Sequence, residues 1–301
     1  MTMSFMIPLA ESNNHQTPFD CKEITARPIH FADVVDDFDD NDIRQRHAHA
    51  QLVYNQQFGD CNLPFMEDRL NNEDRLALFE ATLILARHTS ASEDVDRANS
   101  MAASPELADI LTASHIERLS IINFIARNFD KAAQYSAMID SAALLPRIVN
   151  TPLKEAGRPL APPRLLVPSH GDDNTVGYTV RQIDLPQNGI VVISHPQCVF
   201  SAAAMEHIND SDRISAIFRE RSIWIFPPST IIGERSSPKK TLPAQLFGVA
   251  YRYGDFPQLD NWDLPSFYFF RDGRLVHQFT GWPRSGESSP LLEEGLRRIA
   301  P

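Results

Sequence analysis

Cysteine and glycine are both scarce in this sequence. Cys21, Cys61 and Cys198 are the three cysteines among 301 residues. They form no Cys-x-x-Cys pair and lack the Cys/His spacing of a zinc site. His47 and His49 would point to different faces of a helix, so we expect surface histidines there and not a metal pair. The 12 glycines form no phosphate-binding loop, and no Gly-x-Ser-x-Gly elbow of a hydrolase occurs. We therefore predict no metal and no cofactor.

A long apolar run is also lacking. No run approaches the roughly 20 residues that cross a bilayer, so we predict no transmembrane segment. Residues 1–10 are apolar but carry no basic region, which is not typical of a signal peptide. We expect a cytoplasmic protein, or a periplasmic one if a leader has been removed. In an oxidising compartment Cys21 and Cys61 would be the natural structural disulfide, whereas in the cytoplasm all three cysteines would be thiols.

Positive charge is the third shortage. The chain has 28 Lys and Arg against 39 Asp and Glu, a net charge of −11, with acidic residues concentrated in 33–42. Because phosphate backbones require clustered Lys and Arg, this balance excludes nucleic acid as the expected partner. The contents of 43% hydrophobic and 22% charged residues are ordinary for a globular protein. The length predicts two domains or one large one.

The stretch 189–207 contains Cys198, the cysteine whose position in the sequence most favours a reactive thiol. Residues 189–193 are an apolar, β-branched run after a turn signal and predict a buried strand. Residues 194–197 interrupt it, and residues 198–207 favour a helix. Cys198 therefore stands where a strand ends and a helix begins, and free N–H groups at such a point favour the thiolate. His195 is either a source of positive charge and proton partner for that sulfur or a loop histidine at the rim.

A second motif, DLPSFYFFRDGRLV, follows at residues 263–276. It contains a proline, an aromatic run, and an Asp-Gly dipeptide typical of a tight hairpin turn. A glycine follows at Gly281. Taken with the strand, loop, cysteine and helix above, this motif resembles the thioredoxin-like superfamily, in particular its TlpA-like branch, over about residues 176–300. The resemblance implies a central mixed sheet flanked by helices, and a function in thiol–disulfide chemistry.

The resemblance also implies roles for two residues before the aromatic strand. Pro265 would follow a cis peptide bond and lie against the active cysteine. The backbone of Leu264 would pair with an extended substrate chain. From its place just before Pro265, we expect Trp262 either to line a substrate groove or to pack in the core.

Ser201 departs from the family pattern, because it stands where a second cysteine would complete Cys-x-x-Cys. A hydroxyl can hydrogen-bond the Cys198 sulfur, but it cannot resolve a mixed disulfide. Three interpretations remain open. Cys198 acts as a single thiol that forms mixed disulfides with a protein or a small thiol such as glutathione. Alternatively, Cys21 or Cys61 resolves that disulfide, or the unit has lost catalysis and only binds a partner.

The first half of the chain predicts helices. Residues 1–68 form an N-terminal extension with few regular patterns, and apolar residues recur at helical spacing through 69–150. Residues 127–135 resemble the turn and second helix of a tetratricopeptide-type hairpin. We expect Asn128 to take the left-handed conformation at that turn.

Prolines separate this helical region from the rest. Five of them lie in residues 151–168, so we predict a linker over 151–175 and a thioredoxin-like domain over 176–301. Besides the strand and helix around Cys198, the elements expected there are strands at 176–185 and 221–226, a helix within 242–253, a hairpin over 265–279 and a helix over 290–299.

The sequence thus predicts an α+β protein of two domains, an all-α helical-hairpin domain followed by an α/β thioredoxin-like domain. Its expected function is thiol–disulfide exchange or isomerisation by Cys198, assisted by Ser201 and His195. The alternative is a non-catalytic adaptor that binds a protein partner through the helical domain and the cis-proline face. The sequence alone leaves open whether the protein is an enzyme.

Overall fold

The structure is a computed structural model that describes residues 27–36, 43–59, 70–139, 147–148, 162–170, 176–231, 244–283 and 289–300. Within these ranges the fold is mixed α/β, with ten α-helices and one mixed sheet of eight strands. The predicted Cys21–Cys61 disulfide lies outside the described residues. Every helix in the described ranges is too short or too polar to cross a lipid bilayer.

Seven helices precede the main sheet strands. They are α1 (Arg27–Asp36), α2 (Ile43–Phe58), α3 (Asn72–Thr89), α4 (Ser92–Ala102), α5 (Pro105–Ala108), α6 (Ala113–Ile125) and α7 (Phe129–Met138). Phe31 of α1 and Tyr54 of α2 are buried in one cluster with Leu78 of α3. Helices on both sides of the predicted boundary at residue 68 thus share one hydrophobic cluster. The short apolar pattern of α1 and the polar sequence of α2 hide this packing.

Eight strands form the sheet. They are β1 (Arg147–Ile148), β2 (Arg164–His170), β3 (Val176–Gln182), β4 (Gly189–Ile193), β5 (Ser222–Phe226), β6 (Leu246–Ala250), β7 (Ser266–Arg271) and β8 (Arg274–Thr280). Their order in the sheet is β1-β3-β2-β6-β5-β4-β7-β8. The central pairs β4–β5 and β5–β6 are parallel, whereas β4–β7, β7–β8, β2–β6 and β2–β3 are antiparallel.

Strand β4 is buried on both faces, as its continuous apolar sequence predicts. Ile190 and Val192 face one hydrophobic cluster, and Val191 and Ile193 face another. Residues of α8 (Val199–Asp210), α9 (Asp212–Arg221) and α10 (Ser289–Arg298) complete the first cluster. The second cluster includes Trp262 and is completed by loop residues between β6 and β7. The strand therefore ends inside the molecule, between two packed layers.

The predicted helix within residues 242–253 is wrong, because the chain forms strand β6 there. β6 lies between β5 and β2 and bonds to both. A Cβ on Gly248 would approach within 2.7 Å of the Leu166 carbonyl oxygen, so the close approach of β2 requires glycine at that point. Pairing with two neighbours, which no local pattern reveals, decides the conformation.

The predicted linker over 151–175 contains a strand. β2 begins at Arg164 and pairs with β3 along its length. Its proline, Pro168, lies opposite Tyr178, beyond the residues Leu165 and Leu166 that pair with β6. A proline can occupy this position because the described sheet has only β3 beside β2 there.

The predicted hairpin of β7 and β8 is confirmed. Asp272 and Gly273, at the turn, have φ values of 50° and 72°. Two successive positive φ angles match the right-handed twist of a two-residue hairpin, and the Asp-Gly dipeptide favours them.

The helices and the sheet meet at the end of α6. Arg127 has a φ of 68°, its N–H donates to the Phe124 carbonyl, and the next N–H, of Asn128, donates to the Asn123 carbonyl at 2.8 Å. This is a Schellman motif, in which Arg127 and not the predicted Asn128 is left-handed; Asn128 has a φ of −90°. The prediction was wrong by one residue because local sequence favoured Asn, whereas tertiary bonds hold the arginine.

The Arg127 guanidinium crosses into the sheet region. It is 8% exposed and donates to the backbone carbonyls of Tyr251, Ala250, Pro228 and Phe124, at 2.6–3.1 Å. Burial lowers the pKa of Arg127 to about 10, so the group stays cationic at neutral pH. One side chain therefore ties the turn after α6 to the chain after β5 and to the end of β6. We call this arrangement the Arg127 clamp.

Candidate functional site

Cys198 lies at the strand-to-helix junction that the sequence predicts. The Cys198 N–H donates to the His195 carbonyl at 3.0 Å, which closes the turn after β4. The Cys198 carbonyl accepts the first helical hydrogen bond from Ala202, at 2.9 Å. Cys198 is therefore the N-cap residue of α8, with extended backbone angles of −81° and 121°.

The sulfur faces the loop that precedes β7. The Cys198 thiol donates to the Leu264 carbonyl, with 3.9 Å between sulfur and oxygen. The Leu264–Pro265 peptide bond is cis. The Pro265 carbonyl accepts from Gly281 at 2.8 Å, and Gly281 has a φ of 88°. The structure thus brings together Cys198, Leu264 and Pro265, which the sequence places far apart.

The Ser201 hydroxyl bonds the loop before Cys198 and not, as its position in the sequence allows, the Cys198 sulfur. Its side chain is 2% exposed, and its hydroxyl accepts from the His195 N–H at 3.4 Å. Because Ser201 lies in the first turn of α8, its hydroxyl points back under the loop. Ser201 therefore positions the loop before Cys198 and does not bind its sulfur.

His195 is half-buried in this loop. Its Nδ1 accepts from the Gln197 N–H at 3.2 Å, which assigns the proton of the neutral ring to Nε2. Burial lowers the pKa of the His195 imidazole below its ordinary value. The lowered pKa favours the neutral form of the His195 ring at pH 7, and its role beside the thiol stays a prediction.

Trp262 both packs in the core and lines a cleft, the two roles that its sequence position allows. It is buried and packs edge-on against Tyr253, with 4.8 Å between ring centroids. It also lines a cleft of about 780 Å³ between the helices and the sheet, together with His195 and Leu264. We call this space the interface cleft. Its other described lining residues are Arg46, His47, Arg87, His88, Ser90, Ile121, Ile125, Gln197, Pro227, Ser229, Ile231, Tyr253 and Asp263.

His47 and Arg46 of α2 were missed as site residues, and His47 was expected on the surface. The His47 ring is partly buried and lies edge-on to Tyr253, with 6.0 Å between centroids. Burial, followed by the charges of Arg46 and His88, lowers the pKa of His47 below its ordinary value. The one available signal was the Arg-x-Arg-His-x-His run of α2, whose basic residues are unusual in an acidic extension.

Two exposed apolar residues follow the cysteine in the chain. Val199 and Phe200, in the first turn of α8, are 53% and 46% exposed. Scattered exposed apolar residues are ordinary, but these two adjoin a half-buried thiol. A partner that reaches Cys198 along α8 would contact them.

The described residues contain no group of three or more His, Cys, Asp or Glu side chains that could hold a metal ion. Cys198 is a free thiol in the described part of the chain. Cys21 and Cys61, the candidate resolving thiols, lie outside that part.

Comparison of the chain with family models, with curated proteins and with solved structures found no match. The geometry of Cys198 and its neighbours is therefore the basis for inferring function.

Proposed function

We propose that the C-terminal half contains a thioredoxin-like unit in which Cys198 carries out thiol–disulfide exchange as a single active-site thiol. One observation carries this proposal. The Cys198 sulfur lies at the N-cap of α8, 3.9 Å from the carbonyl oxygen of Leu264 in a loop that is remote in sequence. This places a thiol next to backbone that could align a disulfide-bearing chain.

The strand arrangement around Cys198 supports the proposal. Strand β4 leads through α8 and α9 to the parallel strand β5, and β7 and β8 continue the sheet on the other side of β4. α10 then packs against the same cluster as α8 and α9. The strand, helix and parallel strand, and the closing hairpin and helix, follow the order that the resemblance to thioredoxin-like proteins implies, but strand β6 stands where that order has a helix. The tetratricopeptide-like character of α6 and α7 remains a prediction.

The exchange step is balanced without a cofactor. The Cys198 thiolate attacks one sulfur of a disulfide, a new bond forms between the two sulfurs, and the original disulfide bond breaks. The leaving sulfur departs with the electron pair and then takes a proton. Because Ser201 has no sulfur, the mixed disulfide persists until a second thiol, from the substrate, glutathione or another cysteine of the chain, attacks it.

The test uses a neutral disulfide so that charge plays no part. The double variant Cys21→Ser/Cys61→Ser keeps Cys198 as its one thiol and is incubated, folded, with hydroxyethyl disulfide. We expect a mass increase of one mixed disulfide at Cys198, measured by intact-mass and peptide spectrometry. The matched control, Cys198→Ser, should show no increase on the peptide that contains residue 198. A folded double variant that stays unmodified, yet reacts once unfolded in urea, would rule out exchange at Cys198.

The exposed pair Val199 and Phe200 favours a second candidate, a non-catalytic adaptor. In that case a protein partner binds across α8 and the Leu264 loop without bond formation. Binding would then survive Cys198→Ser and be lost in Phe200→Ser. Under the exchange proposal, the covalent complex instead depends on Cys198.

A further inference from the structure

The interface cleft concentrates basic side chains on an acidic protein. Among its described lining residues are two arginines and three histidines, against the single carboxylate of Asp263. The whole chain carries a net charge of −11. At neutral pH the permanent charges of this lining are those of two arginines and one aspartate, a local excess of one positive charge, and a positively charged cleft attracts anions. The lining therefore favours an anionic ligand.

Two of these side chains have buried polar atoms without a partner. Neither Arg46 Nε nor His47 Nε2 has a hydrogen-bond partner within the described part of the protein, and both atoms are shielded from solvent. A buried donor that lost its water and gained no acceptor is costly. A carboxylate suits both, since a guanidinium binds it through two parallel N–H groups.

The cleft also extends to residues next to the thiol. Its lining includes Gln197, which precedes Cys198, and Leu264, whose carbonyl the Cys198 sulfur faces. A volume of about 780 Å³ is in the range of sites for small molecules and accommodates a ligand the size of a short peptide. A ligand bound at Arg46 and His47 would extend toward Cys198.

We propose that the interface cleft binds a small thiol or disulfide that carries carboxylates, and presents its sulfur to Cys198. This inference rests on the proposed exchange function and names the substrate class of the same site. The carboxylates pair with Arg46, Arg87 and the histidine donors. The Cys198 thiolate then attacks one sulfur of the ligand disulfide, which is the oxidant, and the other sulfur leaves with the electron pair.

Binding is tested without any sulfur chemistry. Isothermal titration of full-length Cys198→Ser with S-methylglutathione, which cannot exchange, should give saturable binding. The diethyl ester of the same compound, lacking the carboxylate charges, should bind at least about tenfold more weakly, equivalent to about 1.4 kcal/mol. Arg46→Gln should cause a similar loss. The matched control is Arg181→Gln, an exposed arginine on β3 outside the cleft, which should bind as tightly as the parent.

Equal binding of S-methylglutathione and its ester would overturn the proposal, as would absence of binding. The ester comparison needs no arginine variant, so it decides even if Arg46→Gln does not fold. Binding that survives Arg46→Gln in a folded protein would also overturn the assignment of the carboxylate partners.

A kinetic comparison separates this inference from the exchange function. Cys21→Ser/Cys61→Ser should react faster with oxidised glutathione than with hydroxyethyl disulfide. Adding Arg46→Gln should lower the rate with oxidised glutathione about tenfold and leave the rate with hydroxyethyl disulfide unchanged. If the neutral disulfide reacts but no preference for the anionic one exists, the cleft assignment is wrong and exchange stands. If neither disulfide reacts while S-methylglutathione binds to Cys198→Ser, the exchange function is wrong and the anion site stands.

Discussion

Two arginines at the meeting of helices and sheet are held in opposite ways. The Arg127 guanidinium donates to four backbone carbonyls, which belong to α6, to the chain after β5, and to the end of β6 and the residue after it. Arg46, in the interface cleft, has a shielded Nε that finds no acceptor among the described residues. Arg127 thus uses four of its five N–H groups, whereas the Nε of Arg46 uses none.

The difference distinguishes an arginine that stabilises the fold from one that is available to bind a ligand. A buried cation that donates to several backbone carbonyls adds to the fixed contact between two parts of the chain. An arginine whose shielded Nε finds no acceptor gains little from folding, and the side chain of Arg46 lines a cleft that a ligand can enter. The same residue type thus has two uses, and the distribution of carbonyl acceptors around it decides which.

The largest expected effect follows removal of the clamp. Arg127→Met should lower the free energy of unfolding by about 3 kcal/mol or more, because several buried carbonyls lose their donors at once. Urea denaturation monitored by circular dichroism measures it. Arg181→Met, on the exposed face of β3, should change stability by less than about 0.5 kcal/mol. Equal midpoints for the two variants would show that the clamp does not stabilise the fold.

A smaller effect is expected from pH. The folded-state pKa values of His47 and His195 are lowered, chiefly by burial. The unfolded chain therefore binds more protons below the ordinary value of 6.5, and stability should fall as pH decreases from 6.5 through the folded-state values. The change should be smaller than for Arg127→Met, since both rings are partly exposed.

His47→Gln tests whether His47 causes the dependence of stability on pH. It should flatten the dependence of stability on pH between 7 and 5, measured by urea denaturation at each pH. Adding S-methylglutathione should flatten the slope in the parent protein too, because a bound carboxylate favours the protonated ring. A slope that is identical in parent and His47→Gln would contradict this assignment.

The smallest effect on stability should come from the cleft arginine. Arg46→Gln should change the free energy of unfolding by less than about 0.5 kcal/mol, since no hydrogen bond of Arg46 Nε is lost. Its effect should instead be on anion binding. If Arg46→Gln destabilised the protein as much as Arg127→Met, the contrast between clamp and cleft would not hold.

Local patterns predicted the elements around Cys198 well. The apolar run 189–193, the junction at Cys198 and the Asp272-Gly273 turn lie where the sequence suggested, because each depends on residues adjacent in the chain. Strand β6 was mistaken for a helix, and the helices α1 and α2 had few signals. These elements depend on partners that lie far away in sequence.

The site divides in the same way. That Cys198 begins a helix, and that Ser201 cannot resolve a disulfide, followed from the residues themselves, since backbone propensity and sulfur chemistry are local. That Ser201 bonds the loop, that Arg127 takes the left-handed turn, and that Arg46 and His47 face a cleft beside Leu264 were decided only by the tertiary structure. Burial and the direction of each hydrogen-bond acceptor arise from packing between distant segments, and no short stretch of sequence specifies them.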